Sequence, residues 1–375
     1  MVINLTLNDE IEDFLTDRGA IRVGFATLET LSGGPPSIDL KYVLPEAKSA
    51  ISFALPLNKD YIREFLSKKN WKHHVQDNLN VNRNSVLIAH ELIQLLKNKG
   101  FDAKQPPPPG NYIGSTQTGT TQVGDNQYRI EIPDWRIKLY PVFSHRYLAV
   151  RSGVASFGYS GCVGIKGVGA TIILGSVITS ASLEPTDPLP PEEGFCDNCK
   201  ICQASCVSGM VKGKEECTIC MGGIDFTYRA PKNILRCQLV CAGFSGLHSS
   251  EKWSTWSPGR YKIPDDDKKM NLRFLINAYT NYLKWPKITS SQHYIPKTVH
   301  LTCAFCQLVC FGNRKETSEN YRMLLDSGCV IQKENGELVV LPPDEVKEVF
   351  ENMDPKHRKL YNNQRLKKVR LESRA

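Results

Sequence analysis

Cysteine is the residue type in this chain whose spacing most directly implies chemistry. Of the 13 cysteines, all but Cys162 lie between Cys196 and Cys329. Two groups have CxxCxxCxxxC and CxxCxxxC spacing, and their members are Cys196, Cys199, Cys202 and Cys206, followed by Cys303, Cys306 and Cys310. Three thiolates separated by two residues each can surround one iron–sulfur cubane, while a fourth reaches a second cluster. The spacing therefore predicts two [4Fe–4S] clusters.

Two other uses of these cysteines fit the chain less well. A disulfide framework is typical of small secreted proteins, whereas this chain has 375 residues and an N-terminus without the features of a secretory leader. Zinc sites also use CxxC pairs, but three evenly spaced cysteines followed by a fourth are unusual for zinc. We therefore expect a cytoplasmic protein that uses its thiols for metal or redox chemistry.

Length and composition indicate a globular chain with more than one domain. The 375 residues suggest two or three domains, and a hydrophobic content of 41% is normal for a globular protein. Nowhere do about 18 apolar residues follow one another, so we expect no transmembrane segment. No GxxxxGKS/T sequence occurs, so an ATP-driven mechanism would lack its phosphate-binding loop.

The formal net charge of +8 is concentrated at the C-terminus. Residues 355–375 contain eight Lys or Arg residues and a single acidic residue, Glu372. A basic tail of this kind can bind nucleic acid or an acidic lipid surface, but a solvated, partly helical terminus is the commoner explanation.

The N-terminal part of the chain has the alternating pattern of a mixed α/β domain. Apolar runs predict buried strands at residues 21–28, 50–57 and 170–180. Capping residues and glycine stops predict three helices, which run from Asn8 or Asp9 to Gly19, from Asn84 or Ser85 to Gly100, and from His145 to Val154.

A domain boundary is expected near residues 185–195, because the stretch TDPLPPEEG over 186–194 has the composition of a linker. We predict an α/β domain over residues 1–190, a cysteine-rich domain over 191–330 and a C-terminal extension over 331–375.

Two segments depart from this simple pattern. Residues 104–134 are rich in Pro, Gly, Thr and Asn and predict a long irregular loop. Residues 242–300 form an insertion between the two cysteine groups that is rich in aromatic residues, namely Trp253, Trp256, Tyr261, Phe274, Tyr279, Tyr282 and Trp285. Core packing is the commoner explanation of such aromatic density, and contact with a buried ligand is the alternative.

Four motifs in this order resemble one known family. They are LPEAKSAISFALPL, ASFGYSG, GATIILGSVITSASLEPTDP and FCDNCKICQASC. The chain is similar over residues 40–60 and 140–312 to the corrinoid-dependent iron–sulfur reductases, which comprise epoxyqueuosine reductase and the reductive dehalogenases. The resemblance implies an α+β protein in which a nitroreductase-like α/β domain binds cobalamin. A ferredoxin-like domain with two [4Fe–4S] clusters follows it and here carries the large insertion.

The resemblance also implies which thiols bind each cluster. The first cluster would take Cys196, Cys199, Cys202 and Cys310. The second would take Cys206, Cys303, Cys306 and one cysteine from the intervening segment, for which Cys237 after Arg236 is the first choice and Cys217 the alternative. The prolines that follow the motifs in the family are here Val207 and Phe311. The surplus thiols, Cys217, Cys220 and one of Cys237 and Cys241, suggest a small zinc site. We expect Cys162 and Cys329 to be buried thiols.

The same resemblance indicates where a corrinoid and a substrate would bind. The glycine-rich turn would bring backbone close to the corrin through Gly158, Tyr159, Gly161, Gly164 and Gly169, and ordinary tight turns are the alternative.

Reductive bond cleavage needs a proton donor, and the corresponding stretch, residues 141–147, holds no carboxylate. His145 or Tyr147 would donate the proton, and Arg146 would hold an anionic leaving group.

The expected function is that of a cytoplasmic reductase. Low-potential electrons from a donor such as ferredoxin or flavodoxin would pass through two [4Fe–4S] clusters to cobalamin, which would reductively cleave or reduce a small organic substrate. The alternatives are an electron-transfer protein that activates the corrinoid of a partner, and a tRNA-modifying enzyme of the epoxyqueuosine type that uses the basic tail. A homodimer is compatible with the aromatic insertion.

Overall fold

The structure is a computed structural model that describes residues 6–107, 141–212, 215–229, 233–270, 273–274, 276, 301–333, 335, 337–358 and 361. The chain forms two compact units. Unit 1 contains Met1–Leu57, Asn78–Asn198 and Glu216–Arg229, and unit 2 contains Asn58–Asp77, Cys199–Glu215 and Ala230–Ala375.

The described chain contains both helices and strands along its length. The helices are α1 (Leu7–Thr16), α2 (Lys59–Leu66), α3 (Lys72–Asn98), α4 (His145–Arg151), α5 (Ile201–Ala204), α6 (Ile234–Cys241), α7 (Phe305–Leu308), α8 (Arg314–Leu325), α9 (Pro343–Asn352) and α10 (Pro355–Arg358). The strands are β1 (Arg22–Thr27), β2 (Ser49–Pro56), β3 (Ala103–Lys104), β4 (Ser156–Phe157), β5 (Val163–Gly164), β6 (Ile172–Thr179), β7 (Glu216–Met221), β8 (Ile224–Arg229), β9 (Cys329–Gln332) and β10 (Leu338–Leu341).

Unit 1 is built on a four-stranded sheet of order β1-β2-β6-β3. All three neighbouring pairs are antiparallel. Phe53 on β2 lies opposite Gly175 on β6, where a Cβ atom would come within 2.0 Å of the Phe53 ring. A glycine is therefore needed at this position so that the ring can pack across the strand. The three strands predicted from apolar runs are confirmed.

The sheet is covered on both faces. Ile51 and Phe53 pack in one cluster with residues of α1 and α3 such as Leu15 and Leu92. Ala50 points the other way and packs in a second cluster with Leu148 of α4. Because successive residues of a strand face opposite sides, a sheet buried on both sides has strands that are apolar throughout, as β2 is.

The helix boundaries follow the capping chemistry more closely than the apolar pattern. α1 begins after Thr6, which forms a capping box with Asp9, rather than at Asn8 or Asp9. α3 begins at Lys72, twelve residues before the predicted Asn84, because its polar first half has little apolar periodicity to indicate a helix.

α4 begins at His145 as predicted. It ends at Arg151, two residues before Gly153, which has φ +71°.

The segment Asn58–Asp77 belongs to unit 2, although the predicted division placed it in the N-terminal domain. The indole N–H of Trp256 donates to the Phe65 carbonyl at 3.0 Å. The Arg63 guanidinium pairs with Glu316 at 2.8 Å. These contacts join α2 to the cysteine-rich part of the chain through partners about 190 and 250 residues away, which no local pattern indicates.

The hairpin of β7 and β8 belongs to unit 1, although the predicted division placed residues 216–229 in the cysteine-rich domain. Met221 at its turn is fully buried in the cluster that contains Leu31. The Gly222 N–H donates to the Ser32 carbonyl at 2.8 Å. One buried side chain and one backbone hydrogen bond thus anchor the hairpin to the loop after β1.

Unit 2 packs its short helices together. α2 and α5 each contact both α7 and α8, and α9 covers the β9–β10 hairpin. The predicted C-terminal extension is therefore part of unit 2 over its described residues. Trp253, Trp256 and Tyr261 are buried, which confirms core packing for these three aromatic residues of the insertion.

Some expectations lie outside the described residues. They concern the irregular loop after residue 107, Tyr279, Tyr282 and Trp285, and most of the basic tail. Over the described part of the chain, no helix has the length and apolar content that crossing a membrane requires.

His74, near the start of α3, makes part of the stability depend on pH. The ring is fully buried against Phe65, with both nitrogens lacking a hydrogen-bond partner among the described residues, and burial lowers its pKa to about 4. Because the unfolded chain takes up this proton near pH 6.5 and the folded chain only near pH 4, stability falls as the pH drops through this window.

The unsubstituted chain should lose up to about 3 kcal/mol of unfolding free energy in this window, since each pKa unit corresponds to about 1.4 kcal/mol. We expect His74→Leu not to show this loss. Denaturant unfolding at pH 7 and pH 4.5 measures it. His90→Leu, at an exposed histidine of the same helix, is the control. Equal pH slopes in His74→Leu and the unsubstituted chain would contradict the prediction.

Candidate functional site

Four cysteine side chains come together in unit 2. α6 carries Cys237 and Cys241 one turn apart, with their sulfurs 3.6 Å from each other. The Cys241 thiol also donates a hydrogen bond to the sulfur of Cys303. Cys206 is close enough to interact electrostatically with Cys237 and Cys303. The long segment between the two cysteine groups therefore places two further thiols, those of Cys237 and Cys241, beside Cys206 and Cys303.

The surroundings of Cys241 and Cys303 shift the pKa values of the two thiols in opposite directions. The hydrogen bond from Cys241 is the largest cause that lowers the pKa of Cys303, and the backbone N–H groups of Ala304 and Phe305 lower it further against the effect of burial. Hydrogen bonding to Cys237 and Cys303, followed by burial, raises the pKa of Cys241 well above the ordinary value. Of the two thiols, Cys303 therefore loses its proton more readily, and the thiolate is the form that binds metal.

The Cys206 thiol is buried. Burial is the largest effect on this thiol and raises its pKa, while hydrogen bonds from the Ser208 hydroxyl and the Val211 backbone N–H lower it. Its sulfur lies 3.3 Å from the Ser208 oxygen. N–H and O–H groups aimed at sulfur are among the means by which proteins stabilise iron–sulfur clusters.

The loops that carry the cysteines have left-handed backbone at non-glycine residues. Asn198 (φ 57°) and Lys200 (φ 61°) lie within the first group, and Ala304 (φ 89°) follows Cys303. Such conformations cost of order 1 kcal/mol or more each and cluster at functional sites. Here they curl each CxxC segment back on itself.

Soft thiolates suit both zinc and iron–sulfur clusters, and the distances between the sulfurs bear on which of the two fits. Among the described residues, no group of three or more His, Cys, Asp or Glu side chains is arranged around one metal ion. Thiolates around one zinc ion would stand only about 3.8 Å apart, given Zn–S bonds of about 2.3 Å in a tetrahedron. A four-iron cubane is larger than one ion and needs its thiolates spread more widely. The sulfurs of Cys237 and Cys241, 3.6 Å apart, are too close together for both to bind one cubane, so a cubane would take only one of them with Cys206 and Cys303.

Arg236 anchors the helix that carries two of these thiols. Its Nε donates to Asp267 at 2.6 Å, and its Nη2 donates to the carbonyls of Pro264 and Asp265 at 2.6 and 2.7 Å. The side chain is buried. Arg236 therefore fixes the start of α6 to the loop that follows Tyr261.

The thiols assigned to the first cluster are divided between the two units. Cys196 belongs to unit 1, where the Tyr159 N–H donates to its sulfur at 3.3 Å. Cys199, Cys202 and Cys310 belong to unit 2. Within unit 2, α5 with Cys202 packs against α7 with Cys306. The assignment of these four thiols to one cluster stays a prediction.

The suggested zinc site is not formed by Cys217 and Cys220. Both lie on β7, where residues three apart point to opposite faces of the strand. Both belong to unit 1, whereas Cys237 and Cys241 belong to unit 2. A CxxC pair chelates one ion only when its backbone curls, and an extended strand does not.

The two cysteines expected as buried thiols differ. Cys329 on β9 is 1% exposed, which confirms the expectation. Cys162, in the turn between β4 and β5, is only partly buried.

Among the predicted catalytic residues, His145 is poorly suited to donate a proton. Its Nδ1 lies 2.9 Å from the Ser176 hydroxyl and its Nε2 lies 3.4 Å from the Pro107 carbonyl. Burial lowers its pKa to about 4. The ring is therefore neutral at pH 7, and a neutral imidazole is a weak acid.

Tyr147 and Arg146, on the same helix, have different partners. The Tyr147 hydroxyl lies 2.9 Å from the hydroxyl of Tyr228 on β8. The Arg146 guanidinium donates to the Gly161 carbonyl at 2.8 Å, so this turn already uses one of its N–H groups. Tyr147 thus has a hydroxyl partner that can exchange a proton with it.

Tyr228 was missed by sequence reasoning. Its ring stacks on Phe157 at 4.8 Å between centroids. The next residue, Arg229, lies over the Tyr159 ring at 4.8 Å. The only sequence signal was the alternation of the strand, which indicates a hairpin but not the part of the chain that it packs against.

The glycine-rich turn is packed by atoms of the chain itself. A Cβ at Gly158 or Gly164 would collide with the Phe195 ring at 2.5 or 2.9 Å. Gly161 and Gly169 have φ +76°, which favours glycine in any tight turn. These glycines are explained without a ligand, so the described residues show no specific fit to a corrin, and the predicted contacts through this turn and Tyr159 stay a prediction.

Comparison with known proteins gives structural matches only. No protein-family model and no curated protein sequence matches the chain. A structure of epoxyqueuosine reductase from Streptococcus thermophilus aligns at 17% identity and a TM-score of 0.31, over 55% of this chain and 54% of the other. An epoxyqueuosine reductase with a tRNA-Tyr epoxyqueuosine-modified stem loop aligns at 19% and 0.37, over 65% and 59%.

A reductive dehalogenase, whose structure suggests a mechanism for B12-dependent dehalogenation, aligns at 12% identity and a TM-score of 0.42, over 62% of this chain and 28% of the other. The chain thus spans 54% and 59% of the two epoxyqueuosine reductases and 28% of the dehalogenase. The structural neighbours are the two kinds of reductase that the sequence motifs resemble. At these TM-scores the matches support no argument about substrate or cofactor.

Proposed function

We propose that this protein is an iron–sulfur oxidoreductase that uses two [4Fe–4S] clusters to deliver electrons to a reaction in the α/β part of the chain. The observation that supports it is the convergence of Cys206, Cys237, Cys241 and Cys303, with thiol and backbone donors directed at the Cys303 sulfur. A set of mutually close, partly buried thiols in a reducing compartment is expected for metal binding rather than for packing alone.

The residues of the chain have definable tasks in this proposal. When bound, the clusters supply one-electron transfer. Cys303 offers a thiolate that the backbone N–H groups of Ala304 and Phe305 stabilise. Arg236 holds α6 in place through three hydrogen bonds. Burial around Cys206 keeps water from its sulfur, which would protect a bound cluster.

A substrate site is proposed at the start of α4. Tyr147, paired with Tyr228, would hold the proton that reductive cleavage consumes, because a hydroxyl that accepts a hydrogen bond from another becomes the better donor. Arg146 keeps further N–H groups beyond its bond to Gly161 with which to orient an anionic group.

The corrinoid part of the proposal rests on the resemblance of the sequence motifs. The full proposal is a cytoplasmic, cobalamin-dependent reductase that takes electrons from a low-potential donor such as ferredoxin or flavodoxin and acts on a small organic substrate. An electron-transfer protein that activates the corrinoid of a partner is the second candidate, since the described glycines need no corrin of their own.

Elemental analysis after anaerobic purification tests the proposal. We expect about eight iron atoms and a similar amount of acid-labile sulfide per chain, as two cubanes require. Stoichiometric cobalt after incubation with cobalamin would support the reductase. About eight irons without cobalt binding would favour the electron-transfer protein, and a chain that retains no iron after reconstitution would refute both.

A further inference from the structure

The second cluster has more thiols nearby than it can use. The resemblance implies four ligands, which are Cys206, Cys303, Cys306 and one cysteine of the intervening segment. The structure brings two such cysteines, Cys237 and Cys241, to this place. A [4Fe–4S] cluster is held by four thiolates, so one of the five sulfurs is in excess.

Cys237 and Cys241 both lie beside other thiols assigned to this cluster. They are four residues apart on α6, so both side chains leave the same face of the helix. Cys237 interacts with Cys206, Cys241 interacts with Cys303, and the two sulfurs lie 3.6 Å apart.

A change of side-chain rotamer moves a cysteine sulfur over a distance similar to the one that separates these two sulfurs. Rotation of a cysteine between staggered wells moves its sulfur by about 3 Å, which is close to the separation of 3.6 Å between them. The backbone need not move, because the hydrogen bonds of Arg236 and the Asn233 cap hold the start of α6.

We infer that Cys237 and Cys241 are interchangeable ligands of the second cluster, an inference that rests on the proposed iron–sulfur function. In either arrangement one of the two cysteines would hold the cluster as a thiolate and the other would keep the proton, so an exchange would replace one Fe–S bond by another. Electrons and net charge are therefore unchanged. The cluster keeps a complete ligand set when either cysteine is lost to oxidation or mutation.

Iron content of three variants tests this inference. We expect Cys237→Ala and Cys241→Ala each to keep about eight irons, and the double variant to keep about four, because only the double variant leaves the second cluster with three thiolates. The electron paramagnetic resonance spectrum of one reduced single variant should match that of the unsubstituted protein, while the other should be shifted by the change of ligand.

Other outcomes overturn the inference in distinguishable ways. If only Cys237→Ala or only Cys241→Ala falls to about four irons, that residue is a fixed ligand and the proposed function survives. If both single variants lose iron, or the double variant loses none, interchange is likewise excluded. An unsubstituted chain without iron would overturn the proposed function as well. Circular dichroism of the double alanine variant, and of a double serine variant that keeps the size of both side chains, separates cluster loss from unfolding.

Discussion

Replacing Cys303 by alanine is expected to reduce bound iron from about eight to about four atoms per chain and to abolish electron delivery. The spare thiol of α6 does not replace Cys303, because the sulfurs of Cys237 and Cys241, 3.6 Å apart, are too close together for both to bind one cubane. Its sulfur receives hydrogen bonds from the Cys241 thiol and from the backbone N–H groups of Ala304 and Phe305. These donors stabilise a negative sulfur, and a methyl group cannot use them.

The matched control for this prediction is Cys329→Ala. Cys329 is also a buried cysteine of unit 2, but its sulfur lies near the Glu251 carbonyl, and burial raises its pKa, so that it stays a thiol. We expect this variant to keep all of its iron. Iron and sulfide analysis with the spectrum of the reduced protein measures both variants. Full iron in Cys303→Ala, or iron loss in Cys329→Ala, would show that the second cluster is elsewhere.

Arg236→Met is expected to destabilise unit 2 by about 2–3 kcal/mol and to weaken retention of the second cluster. The substitution keeps an unbranched stem of four atoms but removes the guanidinium group and with it three hydrogen bonds, one to Asp267 and two to backbone carbonyls. Loss of one partner of a fully buried pair costs about 3–5 kcal/mol. The cost is smaller here because the Asp267 side chain is 28% exposed and regains water.

Anaerobic unfolding in guanidinium chloride and the rate of iron release to a chelator measure these two effects. Lys333→Met is the control, because Lys333 pairs with Glu337 on the surface and both side chains are 54% exposed. Its stability and iron release should be unchanged within error. Equal behaviour of Arg236→Met and the control would mean that α6 holds its thiols without this anchor.

The metal chemistry was accessible from the sequence because it depends on residue type and local spacing. Cys303, Ala304 and Cys306 form one curled segment whose geometry follows from neighbours in the chain. The strands β1, β2 and β6 were likewise predicted from apolar runs. The first half of α3 was not, because His74 and Val75 are buried through tertiary packing that a polar local sequence does not reveal.

The division into units was not accessible from composition. The linker at residues 186–194 lies close to one boundary, since unit 1 includes residues up to Asn198. The segments Asn58–Asp77 and Glu216–Arg229 belong to a different unit from the one predicted, and nothing in their composition indicates this. Arg63 meets Glu316 and Met221 meets Leu31 only when partners distant in the chain have been brought together.

By itself, the sequence determined that thiols in iron–sulfur spacing follow an α/β segment. The reason is that the spacing of cluster ligands and the apolar runs of buried strands are both short-range patterns in the sequence. Only the tertiary structure decided which distant thiols meet. It placed Cys237 and Cys241 beside Cys303 and put Cys217 on a strand of the other unit. The physical reason is that long-range proximity is set by the packing of α6 and the β7–β8 hairpin, and spacing along the chain carries no information about that packing.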